Sequence, residues 1–145
     1  NLINFNPSVV SRSVSYYGQQ GFSLYRTANN LNAVTASTQP ESSNVYHNIG
    51  QDASGNYVIR LVNYNAAAKT VRVAASGVKF TASGSTKWQL NSAGSTNLQA
   101  ANTVDNLNVI TPKTGALASS EVDRTGALAL TLPAYSFSVI TVKSA

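Results

Sequence analysis

The 145-residue chain contains no cysteine and no methionine, and only 10% of its residues are Asp, Glu, Lys or Arg. Without cysteine there are no disulfides, no thiolate metal sites and no cysteine nucleophile. A single histidine, His47, is too few for a zinc site or a serine triad argued from spacing. The absence of methionine predicts a processed N-terminus or a chain cut from a longer one. No apolar run approaches the roughly 20 residues that a membrane helix needs. The net charge of +5 comes from basic residues spread singly from Arg12 to Lys143, which argues against a nucleic-acid surface. No glycine-rich phosphate loop or Gly-x-Ser-x-Gly elbow occurs.

What is present is Ser, Thr, Asn, Ala and Gly between short apolar alternations, a composition common in secreted β proteins. Leu2 to Phe5 form a strand-like piece ending at Asn6-Pro7. From Val14, the residues Tyr17, Gly18, Gly21, Phe22 and Tyr25 recur on one face of a 3.6-residue period, with Ser11 or Ser13 as cap, so this segment is expected to be a helix. Glycine in a helix interior costs about 1 kcal/mol against alanine. Gly18 and Gly21 on that face therefore predict a close neighbour, and the rest of a small β chain suggests one from a part outside it. The other reading lays the helix across its own sandwich.

Residues 27–43 read as a surface connection. Strands are then expected at 45–49, 57–64, 69–73, 78–81, 86–91, 108–111, 128–132 and 135–142. Tyr57 to Tyr64 is apolar on both faces, which suits a central strand covered on two sides. The expected fold is mainly β, a jelly-roll or β-sandwich of about 7–9 antiparallel strands with one N-terminal α-helix.

The pieces Asn1-Leu-Ile-Asn-Phe, Ser13-Val-Ser-Tyr-Tyr-Gly-Gln-Gln-Gly-Phe-Ser, Tyr57-Val-Ile-Arg-Leu-Val-Asn-Tyr-Asn65 and Leu130-Thr-Leu-Pro-Ala-Tyr-Ser-Phe-Ser-Val-Ile140 resemble, in order and spacing, the C-terminal third of fungal-type family 51 α-L-arabinofuranosidases. The resemblance implies that residues 1–27 are the last strand and helix of a (β/α)₈ barrel, 28–43 a connection and 44–145 a C-terminal sandwich. The family usually has an Asn-Arg-Gly-Asp-like stretch after the helix, where this chain has Tyr25-Arg-Thr-Ala-Asn-Asn30. It further implies a secreted, retaining glycosidase acting on arabinoxylan or arabinan, whose two glutamates sit on barrel strands before the matched segment. No residue here inherits a catalytic role, and the implied partners are the catalytic barrel and plant cell-wall polysaccharide. No cofactor or metal is expected.

For chemistry in the chain itself, Glu121 and Asp123 at i and i+2 would share a face if on a strand, though a solvated turn is the plainer role. Glu41, Asp52 and Asp105 stand in turn contexts. His47 is expected to be partly buried beside Val45 and Ile49. Trp88, Tyr46, Tyr64 and Tyr25 are the candidates for stacking on a sugar face, each with a core role as its alternative, while Tyr135 and Phe137 read as core. An independent carbohydrate-binding module is the other functional reading.

Overall fold

The computed structural model describes residues 2–32, 43–92 and 100–145. Among them are ten strands and one α-helix: β1 (Ile3–Asn6), β2 (Val9–Arg12), α1 (Val14–Leu24), β3 (Asn29–Leu31), β4 (Val45–Gln51), β5 (Tyr57–Asn63), β6 (Lys69–Val73), β7 (Phe80–Asn91), β8 (Lys113–Ala116), β9 (Leu128–Leu132) and β10 (Ser136–Ser144). A six-stranded sheet in the order β3-β4-β5-β10-β7-β8 is packed against the antiparallel pair β6-β9, giving a β-sandwich, and β1-β2 forms a separate hairpin.

The two central strands explain the layering. β5 and β10 pair antiparallel with Ile140 opposite Ile59 and Val139 opposite Arg60, so consecutive residues point to opposite faces of the sheet. On one face Ile59, Leu61, Ile140 and Val142 meet Val71, Leu128, Leu130 and Leu132 of the β6-β9 pair. On the other, Val58, Val139, Trp88 and Leu90 meet Tyr17 of α1 and Ile110. Tyr57 to Asn63 is therefore the doubly covered central strand that its composition predicts.

Several boundaries differ from the sequence reading. Residues 78–81 and 86–91, read as two strands, belong largely to the single strand β7, which passes through Gly84 at φ +68°. The register against β10 shifts there, between Thr141 and Lys143. Ser85 holds the irregularity, its Oγ donating to Thr81 O at 2.7 Å and accepting from Lys143 N at 3.0 Å. Residues 108–111 are not a strand, because buried Asn102 grips Ile110 through both its N–H and its carbonyl (2.7 and 2.6 Å), which diverts that backbone from a ladder. The edge position falls to β8 instead. β2 and β3 were not anticipated.

Candidate functional site

The helix forms where its period places it, and Ser13 is the cap, its Oγ accepting from Tyr16 N at 3.2 Å. Its buried residues are Tyr17 and Gly21. A Cβ on Gly21 would lie 2.7 Å from Phe137 Cε1 and 2.9 Å from Trp88 Cζ3, whereas one on Gly18 would meet nothing within 4 Å. The expectation that both glycines face a body outside the chain is corrected for Gly21: its close neighbour is the chain's own sheet. Gly18 is open.

Trp88 is 2% exposed, in the core position that its sequence left as the alternative to sugar stacking. Phe137 packs edge-on to it at 5.5 Å and is stacked under Phe22 at 5.2 Å. Tyr25 is half-buried against Trp88, with ring centroids 6.4 Å apart. Beside them lies buried Arg60, which the sequence reading passed over as one residue of a strand. Its guanidinium donates to Asn48 Oδ1 at 2.9 Å and to the carbonyl of Tyr25, and lies over the Phe22 ring. Burial lowers its pKa from the ordinary arginine value, and its Nε is buried without a hydrogen-bond partner. A charged residue inside the most apolar strand was the available signal.

Tyr46 and Tyr64 are the exposed candidates, at 54% and 55%. The structure does not bring the four aromatics together. Tyr46 lies on β4 opposite Val62 of β5, while Tyr64 follows β5 and meets Tyr135 edge-on at 5.8 Å. Tyr135, read from the sequence as core, is only half-buried and adopts φ +42° before β10 begins.

The acids serve the backbone. Glu121 ends a three-residue 3-10 turn (Ser119–Glu121), pairs with Lys87 and accepts from Ala118 N at 3.0 Å. Asp123 accepts from Thr125 Oγ1, from Arg72 Nε and from the N–H groups of Thr125 and Ala127. Those bonds, led by Thr125 and then Arg72, hold its carboxyl well below the usual range. The two residues are thus not a shared strand-face pair. At Asp52, desolvation opposes ionisation, but bonds from Asn56, Ser54 and Gly55 prevail and lower the pKa. Glu41 lies outside the described residues. His47 shares its face with Val45 and Ile49 but is exposed, not partly buried; the described pairing of β3 with β4 ends at Ile49. Among the described residues no group of three or more His, Cys, Asp and Glu could hold a metal, and no helix is long and apolar enough to cross a membrane.

The most unusual surface is the β1-β2 hairpin. Its register aligns Ile3 with Arg12 and Phe5 with Val10, putting Ile3, Phe5, Val10 and Arg12 on one face and Asn4, Asn6, Val9 and Ser11 on the other. Ile3, Phe5 and Val10 are 45%, 78% and 62% exposed, while Ser11 is fully buried with no partner for its Oγ. The outward face thus carries three exposed apolar side chains beside Arg12, which are not used to cover the chain's own core.

A family model described as the α-L-arabinofuranosidase C-terminal domain matches residues 1–136. Searching curated proteins finds no match. Among solved structures, an arabinose-bound α-L-arabinofuranosidase, MgGH51, superposes at TM-score 0.77 with 21% identity, covering 100% of this chain and 21% of that one. The GH51 arabinofuranosidase of Xanthomonas axonopodis pv. citri does so at TM-score 0.71 and 16% identity, over 98% and 28%. The catalytic domain of a GH30 xylanase C from Talaromyces cellulolyticus follows at TM-score 0.66 and 23% identity, over 98% and 27%. The chain therefore spans well under a third of each of these proteins. At these identities the superpositions establish the sandwich fold that the chain shares with them.

Proposed function

Because the chain belongs to the family of α-L-arabinofuranosidase C-terminal domains, we propose that it is the structural β-sandwich part of a retaining α-L-arabinofuranosidase, docked on a catalytic barrel through its N-terminal hairpin. The observation that carries this is the β1-β2 hairpin, whose Ile3, Phe5 and Val10, beside Arg12, present exposed apolar side chains to solvent. Burying a phenylalanine or valine side chain is worth about 1.5–3 kcal/mol, so covering this face would contribute materially to holding two bodies together. Three exposed apolar side chains side by side suit a domain seated on another one.

In this reading the two catalytic carboxylates belong to the barrel. The acids Asp52, Glu121 and Asp123 are tied to backbone or basic partners and are not poised for glycosidic chemistry. The sandwich fixes the barrel's last elements and supports the walls of its substrate groove. The substrate class is terminal α-L-arabinofuranosyl units on arabinoxylan or arabinan, and the parent enzyme works outside the cell, in keeping with the low charge and Ser/Asn/Thr-rich composition.

Phe5→Asp and Val10→Asp, made in the parent enzyme and in this chain alone, test the proposal. A carboxylate on a covered apolar face is costly, whereas on an exposed one it is nearly free. The melting temperature and the hydrolysis of an aryl α-L-arabinofuranoside by the parent enzyme should both fall, with the melting temperature of the isolated chain unchanged. A parent enzyme indifferent to both substitutions would refute the docking role.

A further inference from the structure

Beyond the end of β5 a cleft of ≈ 270 Å³ opens between the sheet and the segment around Ile110, lined by Leu90, Ile110 and Phe137 below and by Tyr64 and Tyr135 with Asn91 and Ser136. Among the described residues none of its lining side chains is charged. Among the described residues only two non-glycines have a left-handed backbone, Asn44 at φ +52° and Tyr135 at φ +42°, and both brace Tyr64. Tyr64 N donates to Asn44 O at 2.8 Å, and the Tyr135 ring meets the Tyr64 ring edge-on. Asn65 ties the two braces together, accepting from Tyr135 N at 3.0 Å and donating to Ser43 O at 2.8 Å. A left-handed conformation at a bulky residue is costly and is retained where the surroundings enforce it, which is characteristic of ligand clamps.

We propose that this cleft binds one neutral sugar ring, stacked on Tyr64. Three features select that occupant. The volume lies just below the roughly 300–1,000 Å³ of drug-sized pockets, enough to seat a single ring. The apolar floor and aromatic rim suit the C–H face of a sugar, while the phenol hydroxyls of Tyr64 and Tyr135 provide donors and acceptors at its edge. Among the described residues no charged side chain lines the cleft, which disfavours anionic or cationic ligands, since they would be desolvated there without a counter-charge. The inference rests on the cleft alone, so its failure leaves the docking role untouched.

The experiment titrates the whole chain separately with L-arabinose, D-xylose and D-glucose, following the ring resonances of Tyr64 and Tyr135 by NMR. At least one sugar should give saturable shifts at both rings with an affinity of about 1 mM, the range expected when one stacked ring and a few hydrogen bonds must offset lost freedom. Tyr64 is more than half exposed, so Tyr64→Ala leaves the fold intact and should weaken binding about tenfold, while Tyr64→Phe should keep it within about threefold. Ala100→Leu, which adds bulk to the cleft wall, should abolish binding independently of the tyrosines. No saturable shift with any of the three sugars, full affinity in Tyr64→Ala or in Ala100→Leu, or shifts confined to Tyr46 would each overturn the proposal.

Discussion

Replacing Gly21 with alanine sets two known quantities against each other. Alanine is favoured over glycine in a helix interior by about 1 kcal/mol. The new Cβ, however, would stand 2.7 Å from Phe137 and 2.9 Å from Trp88, about 1 Å inside ordinary carbon–carbon contact. Neither ring has room to retreat, since Trp88 is 2% exposed and Phe137 is wedged between it and Phe22. Overpacking of this kind costs about 2–3 kcal/mol, leaving a net loss of about 1–2 kcal/mol for Gly21→Ala. Gly18→Ala is the internal control: with open space at its Cβ, only the propensity gain remains, and the chain should gain about 1 kcal/mol. At roughly 2–4 °C per kcal/mol for a chain of this size, the two variants should melt about 4–12 °C apart, on opposite sides of the wild type. Thermal unfolding followed by circular dichroism reads both. If both alanines shift the transition in the same direction, the assignment of Gly21 as the close-approach glycine is wrong.

Two further outcomes follow from the buried and charged groups. Asn102→Ala removes three hydrogen bonds, to Arg12 O and to both backbone groups of Ile110, and strands buried polar groups; chemical denaturation should show a loss of about 2–3 kcal/mol, and a loss below about 0.5 kcal/mol would contradict the clamp. Asp123 has a folded pKa depressed below its unfolded value near 3.9, so its contribution is fully present above about pH 4 and is lost as pH falls toward the folded pKa. Asp123→Asn should therefore flatten the acid limb of the stability profile below about pH 4, and a limb as steep as the wild type's would show that Asp123 does not titrate with unfolding.

Much of this architecture was legible where a repeating pattern met a strong local signal. α1 combined a 3.6-residue period with a serine cap, and β5, β9 and β10 carried alternations long enough to define both their existence and their faces. The misreadings have different causes, and one is a turn-like composition taken as a break in the chain's direction. Ala82-Ser83-Gly84 bends β7 without ending it, because Ser85 restores the bond that the irregularity loses. Val109 and Ile110 look like a strand but are captured by a distant asparagine. The β1-β2 hairpin was half seen: Asn6 closes its turn by accepting from Ser8 N and Val9 N, which the Asn6-Pro7 signal announced, but Val9 to Arg12 is too short to show a period. The edge-on contact of Tyr64 with Tyr135 was not legible, since the left-handed backbone at Tyr135 has no sequence signature comparable to glycine. The outward turn of Ile3, Phe5 and Val10 was equally hidden, because a hairpin's register names which residues share a face and not which face is covered.

The docking role is tested most directly by amide hydrogen exchange across Ile3–Arg12, compared between this chain alone and the parent enzyme. If the apolar face of the hairpin is covered by the catalytic portion, its amides should exchange about tenfold or more slowly in the parent, reflecting at least about 1.4 kcal/mol of added local stability, while those of β5 and β10 change little. Equal exchange at the hairpin in the two proteins would mean that its outward apolar face meets nothing, and the account would be wrong.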